Sequence, residues 1–429
     1  MKLIEQINKT PTAFHAAANI KEILKDNGYT ELFESEKWRI DRGGKYFVIR
    51  NLSSVIAFEV PESEHKGLMI CASHTDSPSF RLKSSPELPP VNGMIRLNIE
   101  GYGGMLKETW FDRPLSVAGR IAVSENGTIR EYIVDAARDM VIIPSLAIHM
   151  GKPRTDGDVN VQTEMPAIFR SKDSQTELLK VMADSAGVKP ESVTGCDLYL
   201  YNRQPGAVLG AEGEFFSSAR IDDLACVYLS LSALVNSKKT GMLKIFAAFD
   251  NEETGSLTRQ GADSTFFTDT MTRINLALGV DEAEYNRLLA SSFMLSADNA
   301  HAAHPNYMNK ADEVNRPRLN GGVVLKFNAS GRYMTDAVSA AVVRTIAERA
   351  KVPLQDYHNR SDIAGGSTLG NLMNHHISVL GADIGIAQLA MHSAYETAGV
   401  KDAEYMERLI TEFYSSEISS EMGTALRLS

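Results

Sequence analysis

The sequence predicts an α/β protein interrupted by a β-rich insertion, and three observations carry that prediction. Apolar runs with the length of buried strands, such as Leu243 to Phe249, end in polar turns and alternate with amphipathic helical stretches. Between about Pro90 and Pro205 the texture changes to short alternating segments with little helix. The length, 429 residues, exceeds what one hydrophobic core usually holds, so two domains are expected. Boundaries drawn on that texture give an outer α/β domain of residues 1–89 and 209–429 and an inserted domain of residues 90–208.

Taken in order, Thr12 to Asn27 reads as a helix, with Ala16, Ile20, Ile23 and Leu24 on one face and Gly28 suited to its C-terminal cap. Tyr46 to Val60 reads as strands around a turn at Asn51 to Ser54, and Gly67 to Ala72 as a short buried strand. Within the insertion, Met94 to Ile99, Leu115 to Val123, Thr128 to Val134 and Leu198 to Tyr201 alternate like strands, and Asn126-Gly127 marks a hairpin. Ser174 to Ala186 reads as a helix opened by a capping box of Ser174 and Glu177. Gly151 to Thr163 reads as a long polar loop. Beyond Ser217, a helix follows Ile221-Asp222-Asp223 with Leu224, Val227, Tyr228, Leu231, Leu234 and Val235 on one face. Phe293 to Ala297 and Gly322 to Phe327 are strand-like, and Asp336 to Lys351 is helical before Pro353. Asn359 to Gly370 is a glycine-rich loop without the ending of a phosphate-binding loop. Ile384 to Met391 runs apolar up to His392, and Asp402 to Met422 forms a final helix with Met406, Leu409, Ile410 and Phe413 aligned.

Composition narrows the functional class. The chain is 43% apolar and 23% charged, as a soluble globular protein is, with a formal net charge of −10. That balance disfavours a nucleic-acid partner and agrees with cation binding. Cys71, Cys196 and Cys226 are too scattered for a disulfide framework or a cysteine zinc site. No run approaches the ~18 apolar residues of a membrane span, and the N-terminus lacks the apolar core of a signal peptide. A cytoplasmic protein that contacts no membrane is the expectation.

The chemistry centres on Asp250-Asn251-Glu252-Glu253-Thr254-Gly255, directly after a strand-like run. Taken alone, such a pair of glutamates reads as a solvated acidic turn. Four other stretches change that reading, because His74, Asp222, Asp298 and His392 also stand at the end of an apolar run or the start of a helix. Two histidines with several carboxylates make an N/O ligand set suited to Zn²⁺, Mn²⁺ or Co²⁺. A carboxylate bridging two ions would give a dinuclear hydrolase, with one free glutamate taking a proton from water. Spacing leaves open whether Asp222 or Asp223 bridges and which glutamate is the base. In His74-Thr75-Asp76, the aspartate can fix the orientation of the ligating ring. His15 reads as structural, and His149, within an apolar stretch, as a core histidine.

Further motifs, in one order along the chain, carry a family likeness. They are Phe14-His15, Lys45-Tyr46-Phe47, His74-Thr75-Asp76-Ser77-Pro78, Thr109-Trp110-Phe111-Asp112-Arg113, Leu146-Ala147-Ile148-His149, Arg220-Ile221-Asp222, Asp250-Asn251-Glu252-Glu253, Ser296-Ala297-Asp298, His304-Pro305-Asn306-Tyr307 and Met391-His392-Ser393. Almost end to end, the chain resembles the M18 metallopeptidases, the aspartyl aminopeptidase family. The resemblance implies a zinc-peptidase-like mixed sheet flanked by helices, interrupted by a β-rich dimerisation domain. It implies an aminopeptidase acting on peptides and assembling through dimers to a tetrahedral dodecamer. His74 and Asp298 would hold one metal ion, Glu253 and His392 the other, and Asp222 would bridge. Glu252 would be general base and then general acid, and Asp76 would orient His74. His149 would serve the neighbouring subunit's active site, in place of the core role. Ser330, Arg332, Gly366, Thr368 and His304 would line the substrate site. Ser330 stands where acid-preferring members align a lysine, so a broader or neutral preference is expected. The competing functions are a different amide hydrolase on the same site and a non-catalytic assembly.

Overall fold

The computed structural model describes residues 1–151, 159–421 and 425–429. Its frame is a nine-stranded mixed sheet in the order Thr30–Leu32, Lys45–Arg50, Ser54–Glu59, Leu243–Phe249, Leu68–His74, Phe293–Ala297, Leu380–Gly385, Val323–Phe327 and Leu354–His358. Leu243–Phe249, Leu68–His74, Phe293–Ala297 and Leu380–Gly385 run parallel at the centre. Parallel strands covered on both faces read as continuous apolar runs, which is why these were visible in the sequence.

Side chains of these strands alternate between two cores. Met69, Cys71, Phe246, Ala248 and Phe293 meet the helices Ala13–Asp26, Ile221–Asn236, Ala337–Ala350 and Val400–Tyr414 on one face. Leu68, Ile70, Ala72, Ile245 and Phe249 meet Phe266–Leu278 and Leu369–Met373 on the other. Gly28 follows the Ala13–Asp26 helix at φ +80°, the left-handed conformation expected of its cap.

A second, six-stranded antiparallel sheet is ordered Thr128–Asp135, Leu115–Glu125, Val193–Asn202, Ser79–Glu87, Met94–Tyr102 and Ile168–Ser171. It has its own core, which includes Phe80, Leu82, Leu97, Ile99, Val117, Ile121, Leu198 and Leu200. The sheet begins at Ser79 and not near residue 90, because Ser79–Glu87 pairs with both Met94–Tyr102 and Val193–Asn202. The hairpin at Asn126-Gly127 forms as expected. A five-stranded sheet joins Ala207–Leu209, Phe215–Ser218, Glu396–Gly399, Ala387–Leu389 and Ala300–His301. Among the described residues no helix is long and apolar enough to cross a membrane.

Some local expectations are corrected. The insertion helix is Leu178–Ala186, and Glu177 makes no side-chain cap. The Leu178 N–H donates instead to Glu87 Oε1 at 2.7 Å, so a neighbouring strand supplies the cap. The apolar run from Ile384 divides between two sheets, as Leu380–Gly385 and Ala387–Leu389. Of the loop expected over 151–163, residues 152–158 lie outside the described set, and Val161–Glu164 is a helical turn capped by the Asn160 side chain. The last helix ends at Tyr414, short of the expected Met422, which lies outside the described residues. Ser415 and Ser416 bond back to the carbonyls of Thr411 and Glu412, and the chain then turns into the strand Ile418–Glu421.

Candidate active site

The central strands carry the site at their carboxyl ends. Leu68–His74 finishes in His74, and Phe249 pairs with His74 in the next strand, so the Glu252–Thr254 turn lies beside it. On the other side Ser296 pairs with Ala72, which brings Asp298 level with His74. Asp222 and Asp223, joined by a cis peptide bond, open the helix Ile221–Asn236. His392 reaches in from the loop after Ala387–Leu389. Segments remote in sequence therefore converge on one cavity of about 160 Å³, lined by His74, Asp222, Glu252, Glu253, Asp298 and His392 among others.

Distances distinguish the two aspartates that spacing left equivalent. Asp222 Oδ1 lies 3.5 Å from His74 Nε2, while its Oδ2 lies 3.6 Å from His392 Nε2. Asp223 is fully buried and accepts from the His74 backbone N–H, so Asp222 is the aspartate facing both histidines. Glu253 Oε2 stands 3.5 Å from His392 Nε2. His74 Nδ1 lies 3.1 Å from the Asp76 carbonyl, which can only accept, so Nδ1 carries a proton and Nε2 is the nitrogen turned to the cavity. The Asp76 carboxylate accepts from the N–H groups of Glu252 and Glu253 at 3.1 and 3.2 Å. It thus holds the turn that presents both glutamates.

Three sets of ligand atoms lie within 4.8 Å of one another: His74, Asp222, Asp223 and Asp298; His74, Glu252 and Glu253; Asp222, Glu253 and His392. Burial drives the Glu252 carboxyl up to about 8 and raises Glu253, Asp223 and Asp298 as well, with neighbouring carboxylates adding to the effect. For His74, burial opposes protonation, but Asp222 and Asp76 overcome it and move the ring well above its ordinary value. Asp222 Oδ1, Asp223 Oδ1 and Glu253 Oε1 are buried without a hydrogen-bond partner among the described residues. Carboxyls crowded out of water, orphaned carboxylate oxygens and an imidazole Nε2 aimed among them make up a donor set that fits a divalent cation.

Other expected residues stand apart. His149 is exposed in the short turn Ile148–Met150, where Leu146, Ile148 and Met150 are 71%, 70% and 73% exposed. It is therefore no core histidine and does not line its own chain's cavity. Gly366 and Thr368 do line the cavity. Arg332 is exposed and donates to the Gly365 carbonyl at 2.6 Å, supporting the glycine-rich loop without reaching the cavity. His304 borders an adjoining hollow. Ser330 is exposed in a turn, its N–H bonded to Asn328 Oδ1, outside the cavity.

The ammonium inside the cavity belongs to Lys326, a buried residue with Nζ 3.7 Å from Asp298 Oδ1. Burial opposes its charge, but Asp298 and other neighbouring acids hold its pKa above the ordinary lysine value. A lysine within the apolar strand Val323–Phe327 is the signal that could have pointed to it.

A cleft with this donor set, at the strand ends of a mixed α/β sheet, is that of a metal-dependent hydrolase. Comparison with known proteins narrows the class. The family model described as aminopeptidase I zinc metalloprotease (M18) matches residues 6–414. A probable M18 family aminopeptidase 2 of Clostridium acetobutylicum is 42% identical over 423 residues, 96% of this chain and 98% of the relative. The solved structure of Chaetomium thermophilum mApe1 superposes with a TM-score of 0.88 at 32% identity, covering 96% of each chain. The structure of the S. cerevesiae mApe1 dodecamer gives a TM-score of 0.86 at 27% identity, covering 96% of this chain and 95% of that one. The chain belongs to the M18 family and is a metallo-aminopeptidase.

Proposed function

We propose that the cleft holds two divalent ions, Zn²⁺ ahead of Mn²⁺ or Co²⁺, and that the protein removes N-terminal residues from peptides. The observation that carries this reading is Asp222, whose two oxygens face His74 and His392 at 3.5 and 3.6 Å, as a bridging carboxylate should. His74 and Asp298 would hold one ion, Glu253 and His392 the other. Such ions supply, when bound, carbonyl polarisation and a lowered pKa for water. Glu252 takes the proton from the attacking water and returns it to the leaving amine. Asp76 keeps His74 and the glutamate turn in place. Lys326, facing the cavity beside Asp298, is the group suited to pair with an acidic side chain at the substrate's N-terminal residue. Ser330 does not bear on that preference.

The division into a catalytic body and a dimerising insertion belongs to the same proposal. The exposed apolar residues Leu146, Ile148 and Met150 of the insertion favour contact between copies, with His149 delivered to a neighbouring cleft. A dodecamer like that of the yeast relative is the assembly we propose, in a reducing cytoplasm where Cys71, Cys196 and Cys226 stay free.

The test is initial rates on aminoacyl-arylamides and their N-acetyl forms, with Zn²⁺, Mn²⁺ or Co²⁺ restored to metal-stripped protein. Hydrolysis of free-amine substrates, acidic ones fastest, is expected. Equal turnover of the acetylated forms would reject the aminopeptidase reading for this site.

A further inference from the structure

The inserted sheet reaches the residues of the cleft through the segment that ends the strand Met94–Tyr102 and follows it. Tyr102, the last residue of the strand Met94–Tyr102, donates its hydroxyl to Asp76 Oδ2 at 2.7 Å and accepts from Asn251 Nδ2 at 2.8 Å. Its ring is held edge-on to Tyr199 of the same sheet, with centroids 5.4 Å apart. The next residue, Gly103, sits at φ +75°, and a Cβ there would lie 3.0 Å from Glu253 Cβ. The segment therefore rests directly on the turn that carries both glutamates. Further along, the Leu106 N–H donates to the His392 carbonyl at 3.0 Å, and Thr109 Oγ1 accepts from the Ala394 N–H at 2.9 Å.

These contacts fall on residues that need outside support. His392 adopts φ +65°, a conformation a non-glycine residue keeps only where its surroundings impose it. Its N–H is tied to Glu396 Oε1 at 2.8 Å, and its carbonyl is tied to Leu106. Asp76 touches His74 and both glutamate N–H groups, and the Tyr102 hydroxyl is its donor from the insertion.

We infer that the segment Tyr102 to Thr109 positions the cleft's cation-binding groups. Tyr102 is the positioning residue that fixes Asp76, and through it His74 and the Glu252–Glu253 turn, while the Leu106 N–H fixes His392. The insertion is in this sense part of the active-site frame. The inference rests on the metal-site reading above, and its test does not depend on turnover.

Two variants remove one donor each. Tyr102→Phe deletes the hydroxyl and keeps the ring against Tyr199. Leu106→Pro deletes the N–H at a residue whose φ of −77° already suits proline. Metal-stripped protein is titrated with Zn²⁺ against a chromophoric chelator. Zn²⁺ affinity is expected to fall about 10- to 100-fold, as it does when groups supporting a ligand are lost. Loss of turnover should appear in kcat with KM retained, and excess Zn²⁺ should restore it. The unfolding midpoint of metal-free protein reports a purely structural role separately. Unchanged Zn²⁺ affinity in whichever variants fold overturns the inference, whatever their stability. Absence of hydrolysis in the parent protein would count against the aminopeptidase reading and leave the Zn²⁺ titration decisive for this one.

Discussion

In the inserted sheet, Arg81 and Arg120 close on Asp197 at 2.5 and 2.8 Å, and Arg170 closes on Glu87 at 2.8 Å. At the cleft, Asp222, Asp223, Glu253 and Asp298 are buried together, with Lys326 3.7 Å from one of them. One region matches its charges over an apolar core; the other gathers like charges out of water and leaves carboxylate oxygens without partners. Burial of unmatched charge is costly, so the folding free energy that tolerates it has to come from the surrounding sheet and cores. Function and stability are thus separated in space, although they meet along Tyr102 to Thr109.

That contrast can be broken at either end. The largest effect is expected from Glu252→Gln, which should lower kcat about 10²- to 10⁴-fold with Zn²⁺ affinity retained. Steady-state kinetics beside a metal titration check it, and near-normal turnover would remove Glu252 from the role of base. In the insertion, Ile121→Ala empties a fully buried site and should cost about 2–5 kcal/mol in denaturant unfolding, with turnover per folded molecule retained. A large kcat loss in that variant would dissolve the contrast.

Lys326→Met sharpens it from within the cleft. The ratio of acidic to neutral substrate kcat/KM should fall about 10- to 100-fold, the worth of one charged hydrogen bond. An unaltered ratio would assign acid recognition elsewhere.

An effect confined to acid pH is expected at His15, between body and insertion. Burial depresses this imidazole from 6.5 to about 4, against the pull of Asp135 and with the help of Arg220. A depressed folded value means that neutral His15 stabilises the fold fully above pH 6.5 and that the contribution fades as pH falls to about 4. The loss should be on the order of 3 kcal/mol and absent from His15→Gln, as read from unfolding midpoints across that pH range.

The candidate positions were legible because the central parallel strands Leu68–His74, Leu243–Phe249 and Phe293–Ala297 are continuous apolar runs that end at or just before His74, Glu252 and Asp298. Which aspartate faces the two histidines was not, since Asp222 and Asp223 differ only in orientation once the helix is docked. Lys326 and Lys244 show the limit. Each is a buried lysine in an apolar strand, yet Lys244 bonds to Ser237 Oγ and the Lys238 carbonyl far from the cleft. Composition cannot separate an ammonium serving a loop from one facing a cavity. The strand Ser79–Glu87 was hidden by its polar residues and Pro86, although Phe80 and Leu82 alternate inward. His149 defeated periodicity for the opposite reason, because apolar neighbours that suggested a core are exposed on this chain.

The convergence of His74, Asp222, Glu253, Asp298 and His392 has a consequence for the unfolded chain. An ion held by groups so far apart in sequence closes long loops, as a cross-link would. The entropic cost of closing a loop rises with its length, though slowly, so a link from His74 to His392 would stabilise the fold somewhat more than one between near neighbours. Bound metal would then behave as a reversible staple across the whole body. Its release would leave the fold in place without the staple, so chelation would lower the unfolding midpoint.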